Sequence, residues 1–390
     1  MALAVAATTL ISLDDPAAQA QEVVGAKAAN LAVARAAGLP VLPGRVVPIT
    51  VGDPALQYGA AIRAADGPGA ARLGVDRFPL EPSFEAELAR AAELGGLLIA
   101  RSSTCLDADE RWSGAFASIA EVRPDELPTA IRGCWSSLFS ADALGRMRAA
   151  GVEPKDVRIA VLVQAMLVPD VGGWARREHD DVKVEAVRGW PGPLLGGSAR
   201  GSRGIVDADG SWSGDLADAG VTRALSQQLA DAMVTATRLG FVRIEWAGVG
   251  QNLFVLQVDR ASVSGFPAGA APLDLPPGAI RLHGVGASPG RALGRPLPLN
   301  LADLDHSADA RGRILVLDQP LSQFAPLLWS AAALVCLDGS PAAHLFTVAR
   351  SLHIPAVVAI DATNSMANAL RRTATLVAAD GDTGEIVMLA

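Results

Sequence analysis

Lysine is nearly absent from this sequence: Lys27, Lys155 and Lys183 stand alone among 33 basic residues, the rest being arginine. A compact point charge on a flexible stem is therefore rare here, and where each one falls is informative. Cysteine is as scarce. Cys105, Cys134 and Cys336 are odd in number, far apart and in no C-x-x-C pair, which argues against a disulfide scaffold or structural zinc and for a reducing cytoplasm. No apolar run reaches the roughly 18 residues that span a bilayer. The opening stretch Met1–Leu13 imitates a signal peptide, and Ala18-Gln19-Ala20 a cleavage site. A positive n-region is missing, however, and Asp14-Asp15-Pro16 interrupts the stretch, so it reads as the N-terminal strand of a mature chain. Positive charge is in deficit too: 41 acidic against 33 basic residues give a net charge of −8, which argues against nucleic acid or an anionic membrane as partner.

What is present is ample for folding. With 50% hydrophobic and 19% charged residues over 390 positions, the chain is not globally disordered and is long enough for two or three domains. One composition shift divides it. Residues 261–280 hold four prolines and three glycines with no helical or strand period, which is linker chemistry. The expected organisation is a domain over 1–260, a hinge over 261–280 and a small domain over 281–390.

Helical periods fall at 26–37, 84–94, 127–150 and 222–238, and short apolar runs at Leu97–Ala100 and Ile159–Val163 read as buried strands. Arg243–Gln257 reads as a hairpin turning through Gly248–Asn252. Downstream, strands at 313–317, 332–337 and 355–360 alternate with helices near 321–329 and 341–352. Both parts are thus α/β in class (α+β in detail).

Four short patterns carry chemistry. Gly339-Ser340-Pro341 is a strand-to-helix turn in which Ser340 is expected to N-cap and Pro341 to take the first helical position. His344 then ends the first turn with its ring aimed at the positive helix terminus, which suits a nucleophile that must carry an anionic phosphoryl group. A histidine merely bonded to a backbone carbonyl is the plain alternative. His353, at the other helix end, reads as a capping cation. Gly25-Ala26-Lys27 opens a helix with a lysine placed to meet phosphate. Arg101-Ser102-Ser103 puts a guanidinium and two hydroxyls at a strand end. Glu245 and Gln257, each inside an apolar run of the hairpin, offer a carboxylate and an amide oxygen to magnesium between phosphates, or else form an exposed edge pair.

In this fixed order, Gly25-Ala-Lys-Ala-Ala-Asn-Leu31, Arg101-Ser-Ser, Glu245-Trp…Leu256-Gln257 and Gly339-Ser-Pro-Ala-Ala-His-Leu-Phe-Thr-Val-Ala-Arg350 resemble the phosphoenolpyruvate synthase and pyruvate phosphate dikinase family, to which rifampicin phosphotransferase belongs. Cys134-Trp-Ser-Ser-Leu-Phe139, Val163-Gln164-Ala-Met166, Gly286-Ala-Ser-Pro-Gly290 and Asp380-Gly-Asp-Thr-Gly-Glu385 support the resemblance. It implies an ATP-grasp-like domain followed by a swivelling phosphohistidine domain. Lys27 and Arg101 bind phosphates in this picture, Glu245 and Gln257 hold Mg²⁺, and Gln164 lies near the nucleotide. The β-phosphoryl group of ATP passes to His344, AMP leaves, and the domain swings to deliver the group to an acceptor.

The sequence departs from that family in ways that bear on function. Gln257-Val258-Asp259-Arg260 puts Asp259 at the arginine position of the usual Gln-x-Arg-Pro. Ala342-Ala343 removes the hydroxyl that precedes the histidine, and the lysine motif reads Gly-Ala-Lys rather than Gly-Gly-Lys. Neither the pyruvate-binding barrel nor the central antibiotic-binding domain has a counterpart. The expected acceptor is therefore not pyruvate on this chain alone, but a small molecule, as in specialised metabolism or antibiotic modification. Two other readings stay open: a phosphoryl-carrier subunit whose acceptor site lies on a partner protein, and a degenerate ATP-binding module without catalysis.

Overall fold

A computed structural model describes residues 10–178, 181–260, 279–300, 309–361, 368–371 and 376–389. All but the last two residues of the proline-rich linker lie outside this set, as do His179, His306 and the first nine residues. The backbone packs as two units. One is made of Met1–Ala108, Ala115–Trp190 and Ser202–Ala261, the other of Asp109–Gly114, Pro191–Gly201 and Ser262–Ala390.

In chain order the first part holds β1 (Ile11–Ser12), α1 (Gln21–Ala36), β2 (Gly44–Val47), α2 (Ile49–Asp66), α3 (Pro68–Asp76), α4 (Pro82–Leu88), β3 (Leu98–Ser103), β4 (Ser118–Val122), α5 (Leu127–Ser136), α6 (Ala141–Ala150) and β5 (Ala160–Ala165). Next come β6 (Val171–Glu178), β7 (Asp181–Arg188), α7 (Gly192–Leu195, which belongs to the second unit), β8 (Ser202–Val206), β9 (Trp212–Gly214), α8 (Arg223–Arg238), β10 (Phe241–Val249) and β11 (Asn252–Arg260). Two antiparallel sheets result, ordered β1-β2-β5-β3-β4 and β11-β10-β6-β7-β8-β9. Helix α8 starts where the Thr222 side chain accepts from Leu225 N at 3.3 Å. Its buried Leu225, Leu229, Ala232, Met233 and Ala236 follow the helical period. They share one core with Ala28 and Leu31 of α1 and with Ala175, Val184, Ile244 and Val255 of the second sheet. The hairpin is as expected, but tighter: Val249 pairs with Asn252, leaving Gly250-Gln251 as the turn, with Gly250 at φ 59°.

The second unit is built on β12 (Ile280–Ser288), β13 (Arg291–Gly294), β14 (Pro296–Leu299), β15 (Ile314–Leu317), α9 (Ala325–Leu328), β16 (Ala333–Cys336), α10 (His344–Ser351), β17 (Ala356–Asp361), β18 (Leu376–Asp380) and β19 (Glu385–Leu389). Its mixed sheet runs β13-β18-β19-β12-β17-β16-β15-β14, with β14 to β17 parallel. Alternate residues of β15 enter opposite cores. Leu315 and Leu317 pack with α9 and α10, whereas Ile314 and Val316 pack with Val377 and Ile386. A strand covered on both faces must be apolar throughout, which is why this segment reads as a continuous run. No described helix is long and apolar enough to cross a membrane, and all three cysteines are free thiols. Burial pushes the Cys134 thiol up to about 12.

Candidate active site: a polar cluster and a helix-borne histidine

Glycine 25 breaks α1. At φ 74° and ψ 164° it leaves the helical region, so the residues after it begin a fresh turn, as the Gly-Ala-Lys pattern suggests. That turn is docked on the end of β3. Ala26 N donates to Thr104 O at 2.8 Å, and Ser103 Oγ accepts from Ala28 N at 3.0 Å, satisfying helix-start amides. Lys27 Nζ donates to Ser102 O at 2.9 Å and lies 4.0 Å from Asp107 Oδ2. The lysine motif and the Arg101-Ser-Ser motif, 75 residues apart, thus form one structure.

From β3, Arg101 reaches the hairpin. Its Nη1 donates to Leu256 O at 2.5 Å and its Nη2 to Gln257 Oε1 at 3.1 Å. Gln257 is the direct cross-strand partner of Glu245, and its Nε2 donates to Asp259 Oδ1 at 2.9 Å. Burial lowers the pKa of Arg101, opposed by Glu245, Asp259 and Asp107; the guanidinium stays protonated. Lys27, Arg101, Glu245 and Gln257 are therefore brought together. Gln164 stands outside this network among the described residues. Its Nε2 donates to Leu42 O at 3.0 Å. It pairs with Ile99 as Leu162 pairs with Arg101, so it shares the sheet face of Arg101, two residues along.

Two members of the cluster carry no signal that sequence reasoning used. Asp107 lies in the loop after β3, where its Oδ2 accepts from Thr104 N at 2.7 Å. Burial raises its pKa, with Lys27 opposing. Arg243 is buried on β10 and donates to Glu245 Oε1 at 3.2 Å. Glu245 and Gln257 supply two hard oxygens on adjacent strands, and among the described residues no group of three or more His, Cys, Asp or Glu could enclose a cation. This donor set fits Mg²⁺, which ordinarily takes one or two protein oxygens and completes its shell with phosphate and water.

In the second unit, the expected helix start is corrected. Ala343 is the N-cap, without a side-chain bond, and His344 is the first helical residue. Ser340 instead closes the preceding turn, its Oγ accepting from Ala342 N at 2.9 Å. The reason is Gly339: at φ 115° it turns the chain tightly against Pro320, so the helix starts only after the Ser-Pro turn. His344 still sits at the positive helix end. Its Nδ1 lies 2.8 Å from Ser113 Oγ. A Cβ at Gly114 would lie 3.0 Å from the imidazole, so a side chain there would make the ring give by a few tenths of an ångström. His353 follows the helix in left-handed backbone, φ 56°.

Comparison with known proteins adds two domain matches. Residues 82–199 match the family model described as pyruvate phosphate dikinase, AMP/ATP-binding domain, and residues 309–384 that of the PEP-utilising enzyme, mobile domain. A curated relative, a probable phosphoenolpyruvate synthase of Archaeoglobus fulgidus, is 26% identical over an alignment covering 67% of this chain and 39% of that protein. The chain thus spans about two fifths of the relative's length. Among solved structures, a dinucleotide-forming acetyl-coenzyme A synthetase of Ca. Korarchaeum cryptofilum is 11% identical, covering 60% of this chain and 90% of that one at a TM-score of 0.33. The ATP-grasp ligase PsnB is 15% identical, covering 64% and 54% at a TM-score of 0.25. Nothing further rests on likenesses of that size.

Proposed function

Since this chain belongs to the phosphoenolpyruvate synthase and pyruvate phosphate dikinase family, we propose that it is an ATP-dependent phosphotransferase working through phospho-His344. The observation that carries this reading is the convergence of Lys27, Arg101, Glu245 and Gln257, drawn from three distant stretches, in one polar cluster. Lys27 and Arg101 hold the phosphates of ATP, and Gln164 flanks the nucleotide. Glu245 and Gln257 hold Mg²⁺, which when bound screens the charge between phosphate groups.

A ring nitrogen of His344 forms a bond to the β-phosphorus as that atom's bond to the α,β-bridging oxygen breaks. AMP departs with the electron pair on that oxygen. The γ-phosphoryl group is released to water or to inorganic phosphate, and the phosphohistidine then hands its group to the acceptor. Ser113 at Nδ1 orients the ring; with Nδ1–H donating to that hydroxyl, the lone pair that attacks is on Nε2. The acceptor is a small molecule; a partner protein bearing the acceptor site is the rival reading.

Intact-mass measurement at alkaline pH, after incubation with ATP and Mg²⁺, tests the proposal. The protein gains a phosphoryl mass, His344→Ala does not, and that variant still binds ATP. Label from β-³²P-ATP persisting on the His344→Ala protein overturns the mechanism. Phosphohistidine that accumulates without turnover until a second protein is added favours the partner reading.

A further inference from the structure

The phosphotransferase reading makes no use of Arg243. Its side chain is 2% exposed. One guanidinium nitrogen, Nη2, donates to Glu245 Oε1 at 3.2 Å, and the other, Nη1, lies 3.9 Å from Asp259 Oδ2. The guanidinium carbon is 5.9 Å from the centroid of the Trp174 ring. Arg243 and Asp259 are direct cross-strand partners, as are Glu245 and Gln257. Opposed pairs two residues apart point to one face, so Arg243, Glu245, Gln257 and Asp259 form a single polar face, the one Arg101 reaches at Gln257.

A buried ion pair stabilises little, since desolvation offsets its attraction, and an apolar replacement is often neutral. Concentrated in a site, such groups point instead to a ligand. The arrangement also answers the departure noted in the sequence. Asp259 stands where the resembling family carries arginine, and the residue directly across the ladder from it is an arginine. The charges of the pair are exchanged between strands, while a guanidinium is kept at the same step.

We infer that Arg243 is a phosphate-binding residue of the nucleotide site and that Asp259 is its positioning residue. A guanidinium offers five N–H donors in a plane and matches phosphate oxygens two at a time. On nucleotide binding, a phosphate oxygen takes the place of Glu245 as acceptor, and Asp259 holds the guanidinium plane in register. The inference rests on the nucleotide site proposed above.

The test is calorimetric titration of the full chain with ATP and, separately, with adenosine. Arg243→Met is expected to weaken ATP binding about tenfold or more, the size of a lost charge-assisted bond, and to leave adenosine affinity unchanged. A merely structural role would lower both. Arg243→Asp and Asp259→Arg each lose ATP affinity, and the double exchange Arg243→Asp/Asp259→Arg recovers it to within a few-fold. The exchanged pair also serves as the folded control if single variants unfold. Wild-type ATP affinity in Arg243→Met, or a double exchange no better than the worse single variant, overturns the inference. Lys27→Ala separates the two levels: if it weakens ATP binding while Arg243→Met does not, only the role of Arg243 fails. If neither does, the nucleotide site itself is misplaced.

Discussion

The imidazole of His344 lies against the Ser113 hydroxyl, and the chain at Gly114 passes close enough that an added Cβ would sit 3.0 Å from it. Gly114 has φ 70°, a region that costs other residues roughly 1–2 kcal/mol, and an added Cβ would press on the ring. Gly114→Ala is therefore expected to slow labelling of His344 by about tenfold with ATP affinity intact, as read from the rate of phosphoryl mass gain; an unchanged rate shows that the ring has other room. Asp107 makes a pH prediction. Burial holds its carboxyl above the usual carboxylate value, so over a window starting near pH 4 the folded chain keeps a proton that the unfolded chain has released. Stability from that proton is complete below the unfolded value and is lost as pH rises through the raised one. Asp107→Asn removes the titration. Its denaturation midpoint should vary less over this window than that of the parent, and identical pH profiles would place the titration elsewhere.

The kinked helix α1 and the hairpin β10–β11 deliver the cluster, and they differ in how plainly the sequence announces them. The Gly-Ala-Lys turn is legible because glycine is needed twice over. Gly25 lies at φ 74°, and a Cβ there would come within 2.3 Å of the Ser103 carbonyl. Gly25→Ala should cost roughly 1–3 kcal/mol in thermal unfolding and also weaken ATP binding, because Lys27 is carried on the turn; a variant normal in both respects would free Lys27 from this support. Helix α2 escaped the sequence reading for the opposite reason. Its Gly52, Pro54 and Gly59 suggest a loop, yet a Cβ at Gly52 would lie 2.7 Å from Trp135 Nε1, and one at Gly59 2.5 Å from Phe139. Close packing selected glycine there against helical propensity. The pairing of Arg243 with Asp259 was hidden differently. A register shift between Glu245 and Trp246 lies between the turn and this pair, so counting back from the turn misplaces its cross-strand partner. Strands β15 to β17, short apolar runs, were legible within a residue or two.

Taken whole, the chain is not two beads on a string. It leaves the first unit at Asp109, returns at Ala115, leaves again at Pro191 and returns at Ser202 before its last crossing. The unit bearing the histidine is thus assembled from three separate stretches, and Trp112, in the first of them, is buried. This imposes an order on biosynthesis. Ser113 precedes the histidine it contacts by 231 residues, which at ordinary rates of translation is roughly ten to fifty seconds. For that interval the loop that carries Ser113 is made without the histidine it contacts, while the sheets of the first unit, complete by Arg260, can already form. The loop is therefore expected to be open to proteases during synthesis, and the making of the histidine-bearing helix to end that exposure.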